Sequence, residues 1–285
     1  MTTVAAALVA ATQRLTPGSD TARLDAEVLL AHAMGVTRSQ LILRHMHDRP
    51  PPGYAALVER RRAHEPVAYI IGHQEFWGLD LQVSPAVLIP RGDSETLIAV
   101  AADRLRHRAP ARVVDLGTGS GALLLAALTQ WPNAQAIGTD RSDAALAVAR
   151  ANAAQLGLAS RARFIAADWT RHGWSVDLGQ FDLVLANPPY VETTALLDTS
   201  VMAFEPHGAL FAGPDGLDDY RCLIPQLQSL LAPEGIALIE IGWQQGPAVI
   251  ALAQAAGMTA KLHTDLAGRP RAVEIVAENA EIHEV

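Results

Sequence analysis

The sequence predicts an α/β fold, a mostly parallel sheet with helices on both faces, preceded by a small all-helical domain. Three observations predict it. From about Leu97 onward, short apolar strand candidates alternate with helix-length segments, the pattern of repeated βαβ units. Residues 1–75 show helical spacing of apolar positions and no strand signal. A glycine-rich turn directly follows one of the strand candidates, where ligands bind in such sheets.

In the first domain, helical periodicity runs through Val4–Leu15 and again through Leu24, Val28, Leu29 and Ala31. Gly35 stands where a helix stops, and Thr37 with Gln40 forms a capping box for a helix over Ser39–His45. Asp48–Gly53 breaks the pattern before a further helix over Tyr54–His64. Residues 76–96 form a linker, alternating from Leu79 to Leu88 with a break at Ser84-Pro85, which predicts a hairpin. The sheet domain then spans 97–285. Its strand candidates are Arg112–Leu116, Ala136–Thr139, Arg163–Ala166, Phe181–Ala186, Gly235–Ile241 and Ala272–Ala277. Helices are expected over Ala122–Gln130, Ser142–Leu156, Leu217–Leu231 and Pro247–Ala256.

Composition narrows the function. Half of the 285 residues are apolar and 18% are charged, enough for a buried core. The net charge is −8, carried entirely beyond residue 80, because residues 1–80 balance eight Arg against eight acids. Such a chain is a poor general ligand for nucleic acid, which needs a basic face to displace counterions. The single cysteine, Cys222, excludes an internal disulfide, suits a reducing cytosol, and sits in a helical pattern as a core residue. No apolar run approaches the roughly 20 residues of a membrane span, and no signal peptide is legible at the start. The expected location is cytoplasmic.

Asp115-Leu116-Gly117-Thr118-Gly119-Ser120-Gly121 leads from strand to turn to helix. Glycines let backbone approach a ligand, and the helix start offers unpaired N–H groups. Asp140 ends the next strand, where a carboxylate accepts hydrogen bonds from both hydroxyls of a ribose. Together they predict a bound nucleoside. Gly117, Gly119 and Ala122 also satisfy a relaxed dinucleotide fingerprint. Asp115 tilts the balance toward the first, since it would repel a pyrophosphate but suits the ammonium of a methionine-like tail. The expected cofactor is S-adenosyl-L-methionine, held by Asp115, Gly117, Thr118, Gly119, Ser120, Gly121 and Asp140. Asp168 and Trp169, after the third strand, are placed to meet its adenine.

A second turn, Asn187-Pro188-Pro189-Tyr190, follows the strand Phe181–Ala186. An amide nitrogen is a weak nucleophile because its lone pair is delocalised. Two acceptors, the Asn187 side-chain carbonyl and the Pro188 backbone carbonyl, could hold its two N–H groups and turn that lone pair toward an electrophilic methyl. The prolines Pro188 and Pro189 stiffen the turn. Tyr190 offers an apolar face for a planar amide or base.

These residues resemble those of the release factor glutamine methyltransferases. The resemblance covers nearly the whole chain. Besides the two turns it includes Pro66–Gly72, Glu75–Gly78, Leu88–Glu95, Gly213–Leu217 and Glu240–Gly246. It implies a seven-stranded, Rossmann-like class I methyltransferase domain behind a helical domain that helps grip the substrate. It implies methylation of the side-chain amide of the glutamine in the Gly-Gly-Gln motif of class I peptide chain release factors. S-adenosyl-L-homocysteine is then the product and no metal is required. The cofactor contacts it implies include Trp169 and Asn187, with substrate held by Asn187–Tyr190. Gly92 stands where a proline is common and Ser94 where a threonine is common, both beside the retained Arg91 and Glu95.

The rival is an adenine N6-methyltransferase acting on DNA or RNA, which can use the same tetrapeptide but must hold phosphates. Arg60-Arg61-Arg62 is the sole basic cluster of the first domain and suits a solvated helix face. A nicotinamide oxidoreductase leaves Asn187–Tyr190 unexplained, and a non-catalytic cofactor-binding adaptor has no use for it. His45-x-His47-Asp48 lacks a further spaced ligand for a metal. Ser120 lacks the flanking glycines of a hydrolase elbow.

Overall fold

The computed structural model describes residues 3–278. The chain forms two compact units. One runs to His73 and takes in Leu197–Glu205; the other holds Gln74–Leu196 and the chain from Pro206 on.

The first unit is built from α1 (Val4–Leu15), α2 (Ala22–Met34), α3 (Arg38–Arg44), α4 (Tyr54–Arg62) and α5 (Val67–Ile71). Val4, Leu8, Ala11 and Leu15 recur every three or four residues, so one stripe of α1 is buried. They pack with Leu29, Leu30, Leu41 and Val58. Gly35 ends α2 in the left-handed conformation, and the Thr37–Gln40 capping box opens α3 at Arg38. The Tyr54 hydroxyl donates to the Ala26 carbonyl and ties α4 to α2. Two buried acids of α2 are answered by arginines, Asp25 by Arg61 and Glu27 by Arg23 and Arg38. Arg61 therefore serves an internal ion pair and is not part of a solvated basic face; its side chain is 13% exposed.

β1 (His73–Phe76) and β2 (Leu79–Gln82) form a two-stranded sheet joined by Trp77-Gly78, both at positive φ. The hairpin thus lies earlier than the alternation at Leu79–Leu88 suggests. Phe76 and Leu81 are buried in the second unit's core, so the expected linker belongs to that unit.

α6 (Glu95–Arg104) leads into β3 (Arg112–Leu116), α7 (Ala122–Gln130), β4 (Gln135–Asp140), α8 (Asp143–Gln155), β5 (Ala162–Ala166) and β6 (Phe181–Ala186). α9 (Thr199–Phe204) belongs to the first unit, where Asp198 at its start lies in the field of Arg61 and His64. α10 (Asp218–Leu223), α11 (Leu227–Leu230), β7 (Leu231–Glu240), α12 (Gly246–Ala255), β8 (Met258–Thr264) and β9 (Pro270–Ala277) complete the chain. The helix expected over Leu217–Leu231 is broken by a 3-10 turn containing Pro225, which cannot donate to a helical ladder.

The seven strands lie in the order β5-β4-β3-β6-β7-β9-β8. β3 to β7 run parallel, and β9 is antiparallel to both neighbours. β8 is the strand the sequence pattern missed; most of its residues are only half-buried and it sits at the sheet edge. The central strands are mostly apolar because both faces are covered. Val113, Leu183, Leu185, Ile236 and Leu238 point toward α6 and α7. Their neighbours Val114, Val184, Ala237 and Ile239 pack with Tyr220, Leu227 and Val249 on the other face. α7 is apolar all round, Ala122–Leu128 being entirely buried. Each fully buried leucine such as Leu124 contributes roughly 2 kcal/mol of transfer free energy.

Candidate active site

The parallel strands β3, β4 and β6 end at one edge of the sheet, and a cleft opens there within the second unit. It encloses about 1090 Å³ including the solvent at its mouth. Asp115, Gly117, Thr118, Gly119, Ser120, Asp140, Asp168, Trp169, Asn187 and Pro189 line it. Gly121, Pro188 and Tyr190 do not.

The turn after β3 is built by backbone. Gly117, Gly119 and Gly121 have φ of +75°, +54° and +84°, a region that strains any side-chain-bearing residue. The N–H groups of Gly117 and Thr118 both donate to the Thr139 carbonyl at 2.8 Å, locking the turn to β4. The three glycines differ in what they permit. A Cβ on Gly117 would lie 3.0 Å from the Trp169 ring, and one on Gly121 would press on Leu125 and Ala149. Above Gly119 there is open space. Gly121 therefore serves packing of α7, while Gly119 leaves room for a ligand.

Asp140 accepts the Gly119 N–H at 3.0 Å through one oxygen and the Ser142 N–H at 2.9 Å through the other. A carboxylate has about four lone-pair sites, so it retains capacity for two hydroxyls. The Thr118 hydroxyl donates to Asp115 Oδ2 at 2.6 Å. Asp115 is 1% exposed, and its Oδ1 is buried with no hydrogen-bond partner. Burial, with the Asp140 charge adding to it, pushes its carboxyl up to about 7. Asp168 is held low chiefly by the Thr170 hydroxyl and N–H. The Trp169 indole N–H donates to Asp219 at 2.8 Å, fixing the ring along the cleft wall. Cys222 is half-buried, not core; its thiol donates to the Trp169 carbonyl.

At the end of β6, the Asn187 amide donates through Nδ2 to Ser94 Oγ at 3.2 Å. Pro188 and Pro189 are buried. Tyr190 turns its hydroxyl to Glu240 Oε1 at 3.3 Å, and its backbone carbonyl accepts from Gln245. Burial first, then the Glu240 charge, raises the Tyr190 phenol far above its ordinary range. Glu240 is 1% exposed, burial pushes its carboxyl up to about 7, and its Oε2 has no hydrogen-bond partner.

Several lining residues escaped sequence reasoning. Val87, Leu88, Pro90, Arg91 and Ser94 form one wall, and Arg141 reaches the Gly208 carbonyl at another. The Leu88–Glu95 segment was visible as a motif without assignable chemistry. Arg141 and Gly208 carry no local signal at all. Glu95 is structural, accepting the Trp77 N–H at 2.8 Å. Among the described residues no group of three or more His, Cys, Asp or Glu could hold a metal, and His45 is paired with Asp48. No helix among them is long and apolar enough to cross a membrane.

Residues 6–72 match the family described as the PrmC N-terminal domain, and residues 107–281 match a methyltransferase domain family. A release factor glutamine methyltransferase of Moorella thermoacetica is 42% identical over 277 residues, covering 94% of this chain and 96% of that one. Its namesake from Cereibacter sphaeroides is 43% identical over 275 residues, with the same coverage. Among solved structures, the catalytic domain of hMettl16 in complex with a MAT2A 3'UTR hairpin superposes with a TM-score of 0.55 at 15% identity. That match covers 73% of this chain and 79% of the other. A methyltransferase from Pyrococcus furiosus matches at 0.50 and 18% identity, over 79% of this chain and 97% of the other. At such identities these structures speak to the fold alone.

Proposed function

This chain belongs to the release factor glutamine methyltransferase family and is an S-adenosyl-L-methionine-dependent enzyme, and we propose that it methylates the side-chain amide of the Gly-Gly-Gln glutamine of class I peptide chain release factors. The observation that carries this is the pairing of two chemistries in one cleft: the glycine turn with Asp115, whose Oδ1 is buried and unpartnered, and the Asn187 amide tethered through its nitrogen.

The residues fit the cofactor. Asp115 Oδ1 is a buried acceptor lacking a donor, which an ammonium would supply. Space above Gly119 admits a chain close to backbone. Asp140 would take the ribose hydroxyls, and Trp169 and Asp168 would flank the adenine. When bound, S-adenosyl-L-methionine supplies an electrophilic methyl on a sulfonium.

With its nitrogen committed to Ser94, Asn187 has its side-chain carbonyl left to accept an N–H of the target amide. The Pro188 carbonyl would be the second acceptor, although Pro188 itself does not line the cleft. Held so, the amide nitrogen presents its lone pair to the methyl in line. With the cofactor bound, a C–N bond would form as the methyl's bond to sulfur breaks, and the surplus proton would leave to water. The contribution is positioning and electrostatics, so no general base is needed before attack.

Labelled S-adenosyl-L-methionine is offered with purified release factor, with the factor carrying Gln→Ala in Gly-Gly-Gln, and with duplex DNA. Label on the intact factor alone is expected. Label on DNA would transfer the reading to adenine N6-methylation. No label despite cofactor binding would leave a binding protein.

A further inference from the structure

Trp169 lines the cleft from a loop that leaves β5 at Ala166. A tryptophan on such a loop can turn about two side-chain torsions, so a ring that must keep one plane needs holding. We propose that Asp219 is a positioning residue that holds the Trp169 ring as a fixed wall for the adenine of the cofactor, from a stripe of α10 that also seats the loop. This rests on the reading of Trp169 as a group that flanks the adenine.

The stripe is read directly from the chain. Asp219, Cys222 and Gln226 recur three and four residues apart, through α10 and the 3-10 turn that follows it, so they share one side. The neighbouring Tyr220, Leu223, Ile224 and Leu227 are buried against the sheet. All three residues of the stripe bond Trp169. Its indole N–H donates to Asp219 Oδ1 at 2.8 Å. Its carbonyl accepts the Cys222 thiol at 3.3 Å and Gln226 Nε2 at 3.0 Å. Gln226 is itself oriented, since Nε2 also donates to the Cys222 carbonyl at 2.7 Å and Oε1 accepts the indole N–H of Trp174 at 2.5 Å.

Loop and ring are thus tied separately. Cys222 and Gln226 hold the backbone of Trp169, and Asp219 sets the rotation of its side chain. The ring is pinned at both ends. Its N–H edge is bonded to Asp219, and the far edge of its six-membered ring lies where a Cβ on Gly117 would come within 3.0 and 3.2 Å of it. It therefore spans from α10 to the glycine turn, and a planar base entering the cleft meets a face that cannot tilt. Asp219, Cys222 and Gln226 do not line the cleft, so they act on a ligand only through Trp169. A carboxylate is the strong choice of acceptor here, because a charge-assisted bond is roughly twice as strong as a neutral one.

The test measures Kd for S-adenosyl-L-homocysteine by calorimetry on full-length wild type, Asp219→Ala, Asp219→Asn, Trp169→Phe and the double variant Trp169→Phe/Asp219→Ala. Loss of a bond to a charged group should raise Kd of Asp219→Ala roughly tenfold, while kcat at saturating cofactor falls far less. Asn keeps the acceptor without the charge, so Asp219→Asn should return to within about threefold of wild type. Phe has no N–H to hold. Adding Asp219→Ala to Trp169→Phe should therefore change Kd by less than about twofold, whereas a merely structural role for Asp219 would carry its loss into that background. Labelling with 5-fluorotryptophan gives each of the five tryptophans a 19F resonance, and that of Trp169 is identified by its absence in Trp169→Phe. It should be sharp in wild type, shift when S-adenosyl-L-homocysteine binds, and broaden in Asp219→Ala. A Kd of Asp219→Ala within about twofold of wild type, or an equal loss in the Trp169→Phe background, would overturn the proposal. Should Asp219→Ala fold poorly, the wild-type spectrum decides: a Trp169 resonance that is broad, or that ignores the ligand, overturns it as well. Binding needs no release factor, so a wild type that binds S-adenosyl-L-homocysteine but labels no release factor sinks the substrate reading without touching this result.

Discussion

Two carboxylates at the same sheet edge share their burial and differ in their surroundings. Asp115 ends the interior of β3 and Glu240 ends β7; both are 1% exposed, and burial pushes both to about 7. Each leaves one oxygen with no hydrogen-bond partner. Asp115 lines the cleft, where its free oxygen can meet a ligand. Glu240 does not line it, and its Oε1 instead accepts the hydroxyl of Tyr190, the last residue of the Asn187 turn. The same unfavourable group thus acts outward as a ligand site in one place and inward as an anchor in the other. What surrounds the carboxylate, rather than its burial, separates the two.

The sharpest way to break this comparison is at the group between the two neighbourhoods. Asn187→Ala removes the acceptor and should lower kcat by about 10²–10³-fold, as losing an oriented polar group in a transition state does. Cofactor affinity by calorimetry should survive. Equal loss of both would mean that Asn187 belongs to the cofactor side.

Asp115→Asn comes next. It keeps the shape and removes the charge, so cofactor Kd should rise roughly ten- to a hundredfold, the worth of a charge-assisted bond of about 1.5–3 kcal/mol. Its kcat at saturating cofactor should change far less. A matching fall in kcat would erase the difference between the carboxylates.

Acidity supplies a third, smaller effect. Cofactor binding needs Asp115 ionised, so wild-type Kd should tighten as pH rises through about 7, while Asp115→Asn stays flat. Stability of the cofactor-free protein moves the other way. The folded carboxyl sits above its unfolded value of 3.8, so the folded state holds the extra proton. The stability this gives is complete below pH 3.8 and is lost as pH rises through about 7. The Tm of Asp115→Asn relative to wild type should therefore increase between pH 5 and 8. A constant difference would show that Asp115 ionises normally.

The smallest effect is structural. Gly117→Ala forces a Cβ against Trp169 at 3.0 Å from a backbone at φ +75° and should cost on the order of 1 kcal/mol or somewhat more in urea unfolding. Gly119→Ala meets nothing within 4 Å, so it should cost less stability and more cofactor affinity.

Much of the fold was legible. Apolar spacing, the Thr37–Gln40 box and the glycine-rich turn are local rules, obeyed by residues within one or two turns of each other. Where the local reading slipped, competing structure explains it. β8 alternates poorly because it is an edge strand with most residues half-buried. The Leu217–Leu231 helix breaks at Pro225. The hairpin turns at Trp77-Gly78, both at positive φ, where Glu95 and Glu75 accept their two N–H groups. Of the anticipated site, the glycines, Asp115, Asp140 and Asn187 were named from residue type and spacing alone.

What the sequence alone determined about this protein is the succession of its elements and the two turns where its strands meet solvent, since both follow from contacts a few residues long. The tertiary structure alone decided which groups stand behind those turns. Ser94 lies 93 residues from Asn187, and Glu240 lies 50 from Tyr190. No period or spacing connects them. They meet because β6 and β7 pair in parallel with α6 laid over their ends, and hydrogen-bond direction is fixed only when donors and acceptors from distant segments share one buried space.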